Sequence, residues 1–404
     1  MISLLLYVLI FVFFYLIKAR LYLNLLDPLQ LLALSEMIMF VNIYSLPTIS
    51  PSQKLYLYSI MFVYSFFWLT FSVFVKVRYF SALKKCTNYL EHVSWNSIQV
   101  LQYLLLIIAI LIFVIGQVFS LTGDARLSLT KIFRPVEAFW TIGFYIYLVA
   151  IVISKKRVKR FSYFVLMIIL SIFISTFGKG YILNIILPIS LIFWHKGWPV
   201  RIKHLVLTSI LVVLGISFGL IFAHGAVTSS IYSIVLHRFV NDSDIYILGM
   251  SEHVISSLHL SNFFTYVFGP FFKILGLGYY VDHNIGSQVG SLIAGRQVLT
   301  GPNAQLGYLG MVYFRESYLH ATISCFLIIG FWFLVKYGIV VFVSKTFQMS
   351  IRHIFILFFA LVYPQSVLKD PTFTTSFLIV TITSLFIYVI FKSCFRYMNL
   401  PRRV

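Results

Sequence analysis

Apolar residues run through this chain in blocks of about 20, separated by short polar stretches rich in Lys and Arg. Wound as an α-helix at about 1.5 Å per residue, such a block crosses the ~30 Å hydrocarbon core of a bilayer. The blocks predict spans at about 2–17, 28–46, 55–75, 98–120, 137–154, 161–176, 181–194, 205–224, 321–343, 354–363 and 372–391. The sixth and seventh are short, and the tenth stops at Pro364. A membrane barrel would alternate polar and apolar residues at every second position, and these blocks do not. The expected fold class is an all-α polytopic membrane protein of about 11 spans, with one large loop between spans eight and nine. Its expected parts are an N-terminal bundle (1–224), the loop (225–320), and C-terminal helices with a basic tail (321–404). Charges inside the spans are few, Glu36 and Lys336 being the main ones.

The polar stretches orient the pattern. Lys and Arg gather at 18–20, 76–85, 155–160, 196–203, 345–352 and 392–403. Short basic loops stay on the cytoplasmic side, which puts the N-terminus outside and the C-terminus in the cytoplasm. Loops 47–54, 121–136, 178–180, 225–320 and 365–371 then face outward. Phe263–Tyr280 is apolar enough to suggest another span, but one more crossing would turn the last two basic clusters outward. It is therefore read as interfacial or re-entrant, broken at Gly269-Pro270.

Composition agrees with this picture. Hydrophobic residues make up 60% and charged residues 10%, with a mean hydropathy of +0.96. A net charge of +20 would suggest nucleic acid for a soluble protein. Here the cations flank apolar blocks, and no basic patch interleaves with aromatics, so no nucleic-acid partner is expected. Cys86, Cys325 and Cys394 fit neither a zinc nor a redox spacing. The first apolar block has no positive region before it and no small-residue cleavage site after it, and reads as a span.

Chemistry concentrates in residues 225–320. Val227, Ile231, Ile234, Val235 and Phe239 give one apolar face, as for a helix lying on a membrane. His237-Arg238 ends that stretch, and Arg238 suits either a structural contact or a phosphate grip. Asp242 and Asp244 read as caps of the next helix. Glu252-His253 suits either general-base work or a solvated helix face. Asp282-His283 sits in a Gly-flanked turn, where both residue types are ordinary and where they could also meet a metal or sugar hydroxyls. Glycines recur from Gly286 to Gly310 around Arg296, with Gly301-Pro302-Asn303 among them, and they serve close backbone approach or helix packing. Arg315-Glu316 stands just before the ninth span. The repeated feature is arginine at 238, 296 and 315, whose planar fork matches phosphate oxygens, with Lys179 on the same side in a Gly-Lys-Gly turn. No metal-ligand spacing occurs, so the expected reaction is metal-independent and without cofactor.

Three pieces together resemble the O-antigen or capsule repeat-unit polymerases (Wzy-type), related in layout to O-antigen ligases. They are Ser175-Thr176-Phe177-Gly178-Lys179-Gly180 between two spans, His237-Arg238-Phe239 with the acids after it, and Gly301-Pro302-Asn303 with Leu306-Gly307-Tyr308-Leu309-Gly310. The family turn usually carries Arg where this chain has Lys179. The resemblance implies a glycosyltransferase of a bacterial inner membrane, acting at its outer face. It implies a glycan donor and an acceptor repeat unit, both on undecaprenyl diphosphate, with a chain-length regulator protein as a further partner. It implies that Arg238, Arg296, Arg315, Lys179 and Asn303 bind diphosphate or substrate, and that His237, Glu252 or Asp282 is the base.

The membrane reading supports that chemistry separately. Polyprenyl tails partition into lipid at ~0.8 kcal/mol per buried CH₂, which leaves the reacting groups at the interface where the loop is expected. Charge builds on a departing diphosphate, and fixed arginines there stabilise it. Three other readings stay open: a ligase of the same layout, a lipid-linked oligosaccharide flippase or other transporter, and an acyltransferase. A flippase or transporter would show charges inside many spans or broken repeats in both halves, and an acyltransferase would show an intramembrane His with a partner.

Overall fold

The structure, a computed structural model, describes residues 49–118, 140–154, 162–169, 186–196, 244–260, 262–275, 284–297, 302–362, 367–368 and 370–398. Every regular element among them is helical. In chain order the helices are α1 (Pro51–His92), α2 (Trp95–Val118), α3 (Trp140–Ile153), α4 (162–169) and α5 (Ile186–Lys196). Then come α6 (Asp244–Leu248), α7 (Glu252–Ser256), α8 (Phe263–Val267), α9 (Gly269–Ile274) and α10 (Ile285–Ala294). The last are α11 (Leu306–Tyr313), α12 (Tyr318–Lys345), α13 (Ile351–Val362) and α14 (Pro371–Met398).

The expected end of span three at Val75 is not a helix end. α1 runs on to His92 because neither Gly nor Pro interrupts it after Pro51. Its basic extension is amphipathic: Tyr79, Ala82, Leu83, Cys86 and Leu90 are buried, while Arg78, Lys84 and Asn88 are exposed. The chain then bends by 95° between Val77–His92 and Trp95–Leu111. Ser94 starts α2, its hydroxyl accepting from the Ser97 amide at 3.3 Å.

By length and apolarity, α12 is one helix fit to cross a membrane, and the bent pair passes the same test only as a unit. Lys336 lies within α12 and is buried, its Nζ 5.1 Å from the centroid of the Phe71 ring. The described part of the Phe263–Tyr280 stretch, 263–275, forms two short helices, α8 and α9, that part at Phe268. Pro270 stands in the first turn of α9, where its missing N–H has no helical partner to lose.

The chain divides into two compact units, each described as far as its residues are. Unit one draws on Met1–Tyr79, Ser229–Val341 and Ala360–Ser376. Its axis is α11, in which every residue from Leu306 to Val312 is buried. A short helix submerged on all sides needs small residues for close approach. At Gly310 the Tyr56 hydroxyl occupies the place a Cβ would take. Tyr56 itself stacks on Tyr318 at 5.3 Å, and its hydroxyl lies 3.4 Å from Cys325 Sγ. Phe263 of α8 meets Tyr313 and Phe314 edge-on, and Phe268 meets Phe331 of α12 edge-on at 5.4 Å. The Thr375 hydroxyl of α14 lies 3.0 Å from the Val267 carbonyl at the end of α8.

Unit two draws on Phe80–Thr228, Phe342–Phe359 and Phe377–Val404. The α2–α3 seam is closed by Trp140, whose Nε1–H donates to the Leu105 carbonyl at 3.2 Å. The Gln102 Oε1 accepts from the hydroxyls of Tyr147 and Ser162, each at 2.9 Å. That buried polar cluster satisfies groups whose burial alone would cost about 1–3 kcal/mol each. Lys85 Nζ donates to the carbonyls of Ser344 (2.5 Å) and Thr346 (2.9 Å) at the C-terminal end of α12, where the helix leaves carbonyls unpaired.

Candidate functional site

The described part of residues 225–320 is held together by polar clasps that bridge long stretches of chain, one of them on α11. Tyr308 is buried on α11, and its hydroxyl donates to the Gly249 carbonyl at 2.8 Å, across 59 residues. Gly249 follows α6 directly, and a methyl there would stand 2.5 Å from that hydroxyl and 2.6 Å from the Ile245 carbonyl. The position therefore needs glycine, and the chain turns from α6 to α7 against the Tyr308 ring. Tyr246 of α6 crosses Tyr308 at 90° with centroids 5.9 Å apart.

A second clasp joins α10 to its neighbours. The Gln288 side chain accepts from the His259 amide at 2.9 Å and returns a donor to the His259 carbonyl at 3.3 Å. The Tyr266 hydroxyl accepts from the Ile285 amide at 3.2 Å. Asn284 caps α10 through Ser287 N at 3.2 Å. At the first turn of α10, the Pro302 carbonyl stands where a Cβ on Gly286 would be. α10 ends at Gly295, which adopts φ 62°, the left-handed conformation glycine takes most readily.

These clasps place four of the eight residues singled out from sequence. Glu252 is exposed in the first turn of α7, next to its cap Ser251, whose hydroxyl accepts from Val254 N. An acid there complements the helix dipole. Arg315 is exposed in the turn that follows α11. Its charge acts on the Tyr308 phenol. Tyr308 is thus linked to Gly249 by a hydrogen bond and to Arg315 by charge.

Asn303 is half-buried in the loop after Pro302, at the start of α10. Arg296 is exposed just past the other end of that 10-residue helix, about 15 Å away at 1.5 Å per residue, so the structure does not bring the two together. Lys179, His237, Arg238 and Asp282 lie outside the described residues, as does the stretch expected to form a helix at Val227–Phe239.

Burial pushes the Tyr308 phenol up from its ordinary value, and the Arg315 charge pulls it partly back. Burial likewise holds the Tyr246 phenol well above the usual tyrosine range, reinforced by Cys325. Both phenols stay protonated at physiological pH, so Tyr308 acts as a hydrogen-bond donor and not as a base. Among the described residues no three His, Cys, Asp or Glu side chains form a group able to hold a metal ion.

Tyr308, Tyr246 and Gly249 were not singled out as site residues from the sequence, although Tyr308 lies in the Leu306–Gly310 piece that carries the resemblance. A tyrosine in an apolar helix reads as core; its partner 59 residues away has no sequence signal. Comparison with protein-family models, curated protein sequences and solved structures finds no match to this chain.

Proposed function

We propose that this chain is a membrane glycosyltransferase of about 11 spans that joins oligosaccharide repeat units carried on undecaprenyl diphosphate. Residues 225–320 lie at the outer face of a bacterial inner membrane, the N-terminus is outside and the C-terminus is cytoplasmic. The observation that supports this most is the Tyr308 clasp. It joins the Gly249 turn, three residues before the exposed Glu252, to a buried ring that feels the charge of the exposed Arg315, on a body packed against α12. That arrangement suits a surface that meets a diphosphate and a sugar together.

In the reaction, a hydroxyl oxygen of the acceptor unit attacks the anomeric carbon of the donor glycan. The bond from that carbon to the diphosphate oxygen breaks, and undecaprenyl diphosphate leaves with the electron pair. The hydroxyl proton passes to a base, His237, Glu252 or Asp282. Attack opposite the leaving group inverts the anomeric centre. Arg238, Arg296 and Arg315, with Lys179 as a weaker fourth, take up the charge that grows on the diphosphate, and Asn303 contacts the substrate. No metal takes part in this scheme.

A deletion strain tests the reading through its glycan ladder. A polymerase predicts glycans of one repeat unit in the deletion strain. Long chains left on the lipid carrier would instead identify a ligase, and units trapped on the cytoplasmic face a flippase. Arg238→Ala in the complementing gene abolishes polymer while protein level is kept. A normal ladder from that variant removes Arg238 from the mechanism.

A further inference from the structure

The turn from α12 to α13 holds a phenylalanine out of the fold. Phe347, two residues past the end of α12, is 97% exposed. Phe342, in the last turn of α12, is 54% exposed. The turn between the two helices is pinned on both sides of Phe347. Before it, Lys85 of α1 donates to the Ser344 and Thr346 carbonyls. After it, the Ile351 amide hydrogen-bonds the Tyr89 hydroxyl of α1, and the Ser350 amide donates to His353 Nδ1. These contacts lie within unit two, and they fix the outward position of the ring from both flanks.

Cations surround the ring. Lys84 precedes Lys85, Lys345 lies between the two residues whose carbonyls Lys85 holds, and Arg352 follows Ile351; all three are exposed. No Asp or Glu occurs in residues 51–90 or 321–364, and Glu91 at the end of α1 lies 3.7 Å from His195 Nε2. Lys85 also covers the carbonyl end of α12, the negative end of its dipole, while α13 begins with its positive end in the same turn. The surface therefore pairs exposed aromatic rings with uncompensated positive charge. Lys and Arg beside Phe is the pattern of a segment that lies in a lipid interface. α12 is the helix fit to cross a membrane, so its exit sets this turn at the depth of the headgroups. An acidic peptide would answer the charge alone; an anionic phospholipid answers the charge with its phosphate and the rings with its chains.

We propose that the α12–α13 turn is a docking surface for anionic phospholipid of the cytoplasmic leaflet, with Phe347 among the acyl chains and Lys84, Lys345 and Arg352 at the headgroup phosphates. The inference rests on the membrane placement and sidedness given under the proposed function, and is separate from the glycan chemistry. Basic loops orient a membrane chain without choosing a lipid. This surface chooses one.

The test uses the full-length protein in lipid nanodiscs. Gln348, exposed beside Phe347, is replaced by cysteine and carries a fluorescent label; Cys86 and Cys325 are buried, and Cys394 is replaced by serine. Spin-labelled phosphatidylglycerol and spin-labelled phosphatidylcholine are compared as quenchers at equal mole fraction. Phosphatidylglycerol is expected to be preferred at the turn by at least roughly tenfold. Lys345→Gln or Arg352→Gln is expected to lower that preference roughly fivefold, the factor set by ~1 kcal/mol for one basic residue near an anionic surface. Phe347→Ser is expected to reduce quenching by both lipids, because the turn then leaves the acyl region. Glycerol phosphate, the head without the tail, is expected to change nothing. Equal quenching by the two lipids, an undiminished preference in both charge variants, or displacement by glycerol phosphate would overturn the proposal. So would a label quenched by aqueous iodide in nanodiscs and shielded from it in native membranes, which would assign the turn to a protein partner. Recovery of the protein in the soluble fraction on cell lysis would overturn the membrane placement itself. A membrane-bound protein without phosphatidylglycerol selectivity would overturn the lipid site alone.

Discussion

Gly310→Ala probes the packing on which the whole of unit one depends. The added methyl would take the place of the Tyr56 hydroxyl, and would stand 3.0 Å from Tyr56 Cζ and 3.3 Å from Cys325 Sγ. Tyr56 cannot swing aside freely, because it is 3% exposed and stacked on Tyr318. α11 cannot retreat either, since Leu306 to Val312 are buried all round. Overpacking of a dense core costs about 1–3 kcal/mol, and losing the Tyr56–Tyr318 stack adds about 0.5–1.5 kcal/mol. A loss of ~2–4 kcal/mol lowers the melting midpoint by roughly 2–5 °C, taking ~1.2 °C per kcal/mol from the unfolding entropy of a chain of 404 residues. The assay is thermal unfolding of the purified protein, read alongside its level in cells.

Tyr56→Phe alone removes one weak hydroxyl–thiol contact and costs less than about 1 kcal/mol. In the double variant the hydroxyl that clashes is gone, so Tyr56→Phe recovers a large part of the Gly310→Ala loss. The coupling expected from the cycle is at least ~1 kcal/mol. An unchanged midpoint in Gly310→Ala, or strictly additive losses in the double variant, would refute the reasoning.

Three further predictions follow from single contacts. Tyr308→Phe leaves the Gly249 carbonyl without its buried donor and lowers stability by about 1–3 kcal/mol, read as a drop in the melting midpoint; an unchanged midpoint means the clasp contributes nothing. Arg315→Ala removes a charge from the surface beside that clasp and, at the magnitude seen for one transition-state donor, cuts polymer formation roughly 10²–10³-fold without loss of protein; a normal ladder removes Arg315 from the site. His353 Nδ1 accepts from the Ser350 amide at 3.1 Å, and burial followed by the Arg352 charge holds its pKa below the ordinary 6.5. The neutral form is the folded one, so its contribution is whole above pH 6.5 and is lost as pH falls through that value toward the lower folded pKa. His353→Gln should flatten this part of the stability–pH curve, and an unaltered slope would assign the acid sensitivity elsewhere.

Among the described residues, helix was legible where apolar blocks were long. α12 spans the block expected at 321–343, and α2 begins beside the block expected at 98–120. Helix ends were less legible, because hydropathy marks where a chain leaves lipid and not where its hydrogen bonds stop. α1 therefore runs through its basic stretch to His92. The break in the 263–280 stretch was readable from Gly269-Pro270, since proline favours a first turn, and the chain bends one residue earlier at Phe268.

The site was legible only as a list of charged residues. Glu252, Arg296 and Arg315 are exposed, as polar residues in an outward loop would be. What orders them is tyrosine, glycine and glutamine: Tyr308 on Gly249, Gln288 on His259, and Gly286 under Pro302. These contacts join residues distant in sequence through side chains that local pattern assigns to core or turn. Arg296 and Asn303 illustrate the converse. They are near in sequence, and a helix of 10 residues still separates them in space.

The central claim is that the segment bearing Arg296 and Arg315 faces the outside of the cell membrane. A single cysteine at Arg296, which is exposed just past the end of α10, tests it directly. Cys86 and Cys325 are buried free thiols, and Cys394 is replaced by serine to leave one reactive site. Cells with a permeabilised outer membrane are treated with a membrane-impermeant maleimide before and after the inner membrane is opened. The account predicts full labelling of Arg296→Cys before opening. Labelling that appears only after opening would place the segment in the cytoplasm and contradict the account.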